Sequence, residues 1–281
     1  EQTVDVYNSL IFALCENKMF HGAYALIRRM IRKKISPDKK TYLVLVGAWC
    51  SNGKLREAEA FLYEMSLHGY TPPARSRDLL MEGLLNAGYL ETAKGMVRRM
   101  TKEGLVPDIT TFNLLIQAIC DSGDVDFATE VHGSVRELGL CVDVKTYLII
   151  IPAVSKAGRI DLAMKLFAEA REEGIKPSPS LYAPVMKGMC KKGMFEDAFC
   201  FLGEMKAIGH PPNRPVYTML IKMCGRGGRF IDAANYLMEM ANAGFHPMAG
   251  CYDLVVRGLQ NCGNHDLARK IQQMEVSIIR F

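Results

Sequence analysis

Apolar positions along this chain fall into short helical stretches separated by abrupt stops. From Ile109 to Asp143 the sequence reads ITTFNLLIQAICDSGDVDFATEVHGSVRELGLCVD. Phe112, Leu115, Ile116 and Ile119 keep the three-and-four spacing of one helix face, the pattern breaks at Ser122-Gly123, and it resumes through Val125, Phe127, Ala128, Val131 and Val135 before Gly139. This is the pattern of a helical hairpin, and moving 35 residues in either direction reproduces it. Ala23, Ala58, Ala93, Ala128, Ala163, Ala198, Ala233 and Ala268 keep the interval strictly, early in each second helix. The spacing predicts eight uninterrupted repeats, 4–38, 39–73, 74–108, 109–143, 144–178, 179–213, 214–248 and 249–281, the last slightly short. A fixed period of this size marks an all-α solenoid of helical hairpins. A length of 281 therefore predicts one elongated array over 1–281 rather than two domains.

Each recurring residue has a physical task. Tyr7, Tyr42, Phe112, Tyr147, Tyr182, Tyr217 and Tyr252 supply a ring near the start of each first helix, to fill the layer between neighbouring hairpins, and the third repeat has Arg77 there. Gly53, Gly88, Gly123, Gly158, Gly193, Gly228 and Gly263 stand where first helices must end, with Lys18 in repeat one. A second series, Gly69, Gly104, Gly139, Gly174, Gly209 and Gly244, ends the second helices, and Pro72, Pro107, Pro177, Pro212 and Pro247 prevent their continuation. Leu10, Leu45, Leu80, Leu115, Ile150, Val185, Leu220 and Val255 are the expected repeated core contact.

Composition adds little to that picture. Hydrophobic content of 49% with 17 methionines suits a packed helical array, and no run reaches the roughly 18 to 20 apolar residues that span a bilayer, so a soluble chain is expected. Of nine cysteines, Cys15, Cys50, Cys120 and Cys190 share one register and no C-x-x-C pair exists. They read as packing thiols in a reducing compartment. The six histidines are scattered without metal-ligand spacing and read as surface residues. No metal, cofactor or catalytic constellation is expected.

The segment VKTYLIIIPAVSKAGRIDLAMKLFAEAREEGIKPS (144–178), with its Tyr, Lys-Ala-Gly, Ala, Leu-Phe and Gly-Ile-Lys-Pro series, resembles pentatricopeptide repeat (PPR) proteins of the plain 35-residue type. Tetratricopeptide arrays have a 34-residue period and Trp and Leu-Gly-x-x-Tyr marks that are missing here. The resemblance covers nearly the whole chain and implies a right-handed superhelix with first helices lining a groove. It also implies an RNA partner and an organellar location, mitochondrion or alternatively chloroplast.

In that family one repeat reads one base, chiefly through its fifth and last residues. The resemblance implies uridine-reading pairs in Asn8 with Asp38 and Asn113 with Asp143, and a half-built purine position in Thr218, whose partner is Met248. The pairs Leu43 with Pro73, Asp78 with Asp108, Leu148 with Ser178 and Ala183 with Asn213 depart from the pattern. The second residue of each repeat departs too: Asp5, Lys40, Arg75, Thr110, Lys145, Ser180, Pro215 and Gly250 stand where small apolar clamps are usual. Lys40, Arg75 and Lys145, with Lys39, Arg77 and Arg214 nearby, either contact phosphate or are ordinary charged helix starts. A net charge of +5 does not decide between these.

Two function classes follow. One is an RNA-binding solenoid for an organellar transcript. The other is a structural subunit of an organellar ribonucleoprotein such as a mitochondrial ribosome, holding RNA backbone and neighbouring proteins. The appended catalytic modules of some relatives are not expected, since after Gln260 there is a final hairpin and the apolar end Val276 to Phe281.

Overall fold

The computed structural model describes residues 3–176 and 178–279, with side chains through Glu275. Pro177 and the side chains of the apolar end from Val276 lie outside the described residues. The chain divides into two compact units, Glu1–Ile150 and Ile151–Phe281, the division falling within one helix. The first unit holds α1 (Val4–Glu16), α2 (Phe20–Arg32), α3 (Lys39–Ser51), α4 (Leu55–Leu67), α5 (Ala74–Asn86), α6 (Leu90–Lys102), α7 (Ile109–Asp121), α8 (Val125–Glu137) and the start of α9 (Val144–Lys156). The second continues from α9 through α10 (Ile160–Glu172), α11 (Pro179–Lys192), α12 (Phe195–Ala207), α13 (Arg214–Arg226), α14 (Phe230–Asn242), α15 (Ala249–Asn261) and α16 (His265–Ile279). The described residues contain no strand.

Two 13-residue helices and their two links fill the period through most of the chain. Each such helix is about 20 Å long, too short to be stable alone, and it relies on its neighbours. Helix ends follow the predicted stops. Gly53 takes φ 72° and closes α3 through Lys54 N–H to Trp49 O at 2.9 Å. Lys18 (φ 57°) and Lys34 (φ 58°) adopt the same left-handed conformation without glycine. That costs roughly 1 kcal/mol each. At the opposite ends, Asp38 caps α3 by accepting Thr41 N–H at 2.8 Å, and its own N–H donates to the Thr41 hydroxyl at 3.1 Å.

Within the first unit α1 packs on α3, α3 on α5 and α5 on α7, and within the second α11 packs on α13 and α13 on α15. The predicted rings fill the layers between hairpins. Tyr182 lies 4.8 Å from both Phe167 and Phe201, centroid to centroid, and Tyr42 lies 5.5 Å from Phe61. Burying a ring of this size is worth roughly 2 to 3 kcal/mol. Leu45, Leu80, Leu115, Ile150, Val185, Leu220 and Val255 are buried as expected. Leu10 is not: it is 50% exposed, since among the described residues α1 packs on α2 and α3 with no further hairpin against it, while the adjacent Ile11 is buried.

The expectation of surface histidines also fails at one position. His132 is 2% exposed, its ring stacks edge-on at 5.5 Å from Tyr147, and its Nε2 has no hydrogen-bond partner. Burial, with the Arg136 charge adding to it, pushes its pKa down to about 4. The packing role of the cysteines fits their surroundings. Burial raises the Cys15, Cys50 and Cys120 thiols to about 11 and Cys190 to about 12, far from a reactive thiolate.

Candidate nucleic-acid interface

Two hairpin junctions carry the same three-residue cluster. In the first, Asn8 Nδ2 donates to Asp38 Oδ1 at 3.0 Å and the Thr41 hydroxyl donates to Asn8 Oδ1 at 2.6 Å. In the second, Asn113 Nδ2 donates to Asp143 Oδ1 at 3.1 Å and the Thr146 hydroxyl donates to Asn113 Oδ1 at 2.7 Å. Asp143 Oδ1 also accepts Thr146 N–H at 2.9 Å, as Asp38 does from Thr41. Burial works to raise both carboxyl pKa values, but the combined hydrogen bonds from threonine and asparagine outweigh it and hold both lowered. The predicted base-reading pairs are therefore brought together. However, Asn8 is 0% exposed and Asn113 2%, so the two amides face the aspartate and threonine rather than solvent. The aspartates are the exposed members of the two clusters, and the amides are held behind them by the threonine bonds.

Repeat three builds the junction from different parts. Asp78 replaces the asparagine, is 2% exposed, and accepts Asp108 N–H at 3.4 Å. Asparagine donates an N–H to the neighbouring aspartate, whereas a carboxyl can donate, through its O–H, only when protonated. Burial first and the Asp108 charge second push the Asp78 pKa up to about 7. Arg75 is drawn into the same network, donating to Glu82 at 2.8 Å and to Asp108 at 2.9 Å. Thr111 follows it, its hydroxyl donating to Glu82 at 2.8 Å instead of to the fifth residue.

The six cations singled out from the sequence separate accordingly. Lys39, Lys40 and Lys145 are exposed at the starts of α3 and α9. Arg75 already has two carboxylates. Arg77 is set apart, lining a cavity between α4 and α6. Arg214 joins a group that the helix-start pattern does not single out. It lines a cavity of about 530 Å³ with Lys187 and Lys191 of α11 and Lys222 and Arg226 of α13, and no carboxylate shares that lining. Thr218 and Met248 line it too, and the Thr218 hydroxyl is tied to Arg214 O at 2.9 Å. Lys156, Lys187 and Lys191 line an adjoining cavity of about 520 Å³. The sequence signal for this group is periodic: Lys187 and Lys222 are one repeat apart, and so are Lys156, Lys191 and Arg226. The first unit has Glu82 and Gln117, and Asn86 and Asp121, in those registers.

The PPR repeat family profile matches residues 2–51 and 179–226, a pentatricopeptide repeat-containing protein profile 41–135, a pentatricopeptide repeat domain profile 130–192, and a PPR repeat profile 215–245. Together they run without a gap from residue 2 to 245. The chain belongs to the pentatricopeptide repeat family. A mitochondrial PPR protein of Arabidopsis thaliana is 76% identical over 45 residues, which is 16% of this chain and 10% of that relative. Among solved structures, PPR10 from maize matches all of this chain over 45% of its own length, at 23% identity and a TM-score of 0.53. The nuclear protein-only RNase P 2 of Arabidopsis thaliana matches 65% of this chain over 41% of its own, at 16% identity and a TM-score of 0.57. The PPR domain of Arabidopsis protein-only RNase P 1, crystallised with tRNA, matches 59% of this chain over 88% of its own, at 18% identity and a TM-score of 0.51. At these identities the structures speak for the PPR fold. The PPR chain spans under half of the maize protein. Among its described residues no group of three or more His, Cys, Asp or Glu side chains could hold a metal ion, and no helix is long and apolar enough to cross a membrane.

Proposed function

We propose that this PPR chain is a non-catalytic binder of single-stranded RNA. It discriminates bases at repeats one and four and holds the backbone, without base choice, through the second unit. The carrying observation is that Lys156, Lys191 and Arg226, and likewise Lys187 and Lys222, repeat with the solenoid period and, together with Arg214, have no ion-pair partner among the described residues. Cations stacked in register with the hairpins suit a regularly spaced polyanion. Base-edge contacts give sequence choice, whereas phosphate contacts give affinity alone. The tRNA bound by the related RNase P 1 domain supports nucleic acid as that polyanion. An organellar role, in the mitochondrion, is supported by the Arabidopsis relative.

The test is salt dependence. Replacing Lys187, Lys191, Lys222 and Arg226 with Gln should flatten the plot of log affinity against log salt by roughly 0.7 for each phosphate no longer neutralised, and by a similar amount for every RNA sequence. An unchanged slope in the folded variant would remove the backbone-binding role. The second unit has cations but no Asn–Asp–Thr cluster, and this favours a second reading, a subunit of an organellar ribonucleoprotein held on structured RNA. Crosslinking in the organelle separates the two: ribosomal RNA supports the subunit, and one defined transcript site supports the reader.

A further inference from the structure

Seven repeats fill the layer between hairpins with a ring at their fourth residue, and repeat three has Arg77. One period before Arg77, Tyr42 is 2% exposed and packs on Phe61. The matching layer of repeat three is a cavity of about 610 Å³ within the first unit, lined by Leu62 and Tyr63 of α4, Arg77 of α5, and Met96, Arg99 and Met100 of α6, among others. Shifted back by one period, Leu62, Met96 and Met100 become Ile27, Phe61 and Met65, all buried around Tyr42's layer. Arginine has thus replaced one ring and methionine its partner ring. Both changes remove aromatic volume from the same place.

The charges in this cavity are unbalanced. Arg56, Arg77 and Arg99 line it against Glu59 and Glu103. Arg99 donates to Glu59 at 2.9 Å, whereas Arg56 and Arg77 have no ion pair among the described residues. A volume of this order suits a small-molecule ligand, typically roughly 300 to 1,000 Å³. Methionine and leucine walls favour an aromatic ring, and an unpaired guanidinium favours an anion.

We infer that this cavity binds a small molecule in which an aromatic ring carries an anionic group, the ring occupying the layer that Tyr42 and Phe61 fill one period earlier and the anion meeting Arg77. The site opens between second helices, whereas the Asn–Asp–Thr clusters lie between first helices, so its occupancy is separable from RNA binding.

The probe is 1-anilinonaphthalene-8-sulfonate, a fused ring bearing a sulfonate, titrated by fluorescence and followed by NMR of carbon-13-labelled methionine methyls. The expected result is one saturating site that shifts the Met96 and Met100 methyls. Arg77→Tyr restores the ring and should weaken the probe about tenfold or more while raising Tm. Arg77→Leu keeps the space and removes the charge, so it should weaken the sulfonate about tenfold, the size of one charge-assisted hydrogen bond, yet retain the uncharged N-phenyl-1-naphthylamine. RNA affinity should stay unchanged in both variants. If Arg77→Tyr does not fold, Arg77→Leu and the methyl shifts decide. Undiminished probe binding by either variant, shifts confined to other methionines, or weaker RNA binding by Arg77→Leu would overturn the inference.

Discussion

Asp78→Asn should stabilise the protein at high pH and leave it unaffected at low pH. Asp78 is buried beside Asp108, with Arg75 and Glu82 of its own helix and Thr111 of α7 completing the charged and polar surroundings. Its pKa rises from an unfolded value near 3.8 to about 7 in the folded chain. Between those values the folded state holds a proton that the unfolded state has released, so stability falls as pH rises through the window and the full penalty is present above about 7. A rise of this size is worth about 4 kcal/mol in full. Asp108 is 38% exposed at its side chain, and solvent screening there brings the expected effect down to about 2 kcal/mol. Asparagine has the same shape and donates its N–H to the neighbouring aspartate without taking up a proton, as Asn113 does to Asp143. The variant should therefore be about 2 kcal/mol more stable than the parent at about pH 8 and equal to it at about pH 4.

Urea unfolding read through Trp49, the single tryptophan and a residue of the adjacent α3, reports on this region. The difference between variant and parent is the informative quantity, because the buried His132 and the capping aspartates titrate equally in both. A stability difference that does not change with pH would refute the shared-proton reading, and a less stable variant at pH 8 would refute the asparagine-like geometry.

Three other outcomes follow. His132, with a folded pKa of about 4, should make the parent lose stability as pH falls below about 6.5, since only the unfolded chain takes up the proton there; His132→Phe should reduce the loss between about pH 7 and 5 by up to about 2 kcal/mol in the same urea assay. Asn113→Ala should weaken binding at a uridine site by about 1 to 3 kcal/mol and also lower stability by about 1 to 2 kcal/mol, because Asp143 loses its amide donor and the buried Thr146 hydroxyl its amide acceptor, so affinity and unfolding must both be measured. Lys18→Gly and Lys34→Gly should each add roughly 1 kcal/mol by relieving the left-handed backbone, read as a higher urea midpoint.

The hairpins are legible in the sequence because their determinants are local and repeated. A helix stop needs one left-handed residue, and Lys18 and Lys34 take that conformation because the surrounding period imposes it, although neither residue prefers it. The Asn–Asp pairs proposed to read bases are legible as partners, since a fifth residue and a last residue meet across the junction. Their closure is not. Whether Asn8 faces RNA or protein depends on Thr41, 33 residues away, whose hydroxyl reaches the amide at 2.6 Å. Arg75 looks available in the sequence because its two carboxylates come from Glu82, two turns along α5, and from Asp108 in the next junction. His132 carries no local mark of burial. The rows of Lys156, Lys191 and Arg226 and of Lys187 and Lys222 are visible in the sequence, but they sit mid-helix and late in the first helix, away from the helix starts where the family pattern directs attention.

Repeat three departs from its neighbours at its second, fourth and fifth residues together, Arg75, Arg77 and Asp78. The three changes act in different directions. Arg75 offsets acidic charge at the junction, Arg77 empties a layer behind it, and Asp78 replaces a neutral donor with a titrating one. A repeat that had merely decayed would be expected to lose polar groups at the junction, as Leu43 and Leu148 have at the same register. Repeat three instead retains a polar network of Asp78, Asp108, Arg75, Glu82 and Thr111. It lies directly before the second Asn–Asp–Thr cluster, whose Asn113 is on the next first helix, α7. Protonation of Asp78 removes one negative charge beside that helix. RNA approaching Asn113 should therefore meet less repulsion below pH 7 than above it, and Asp78→Asn should remove this pH dependence along with that of stability.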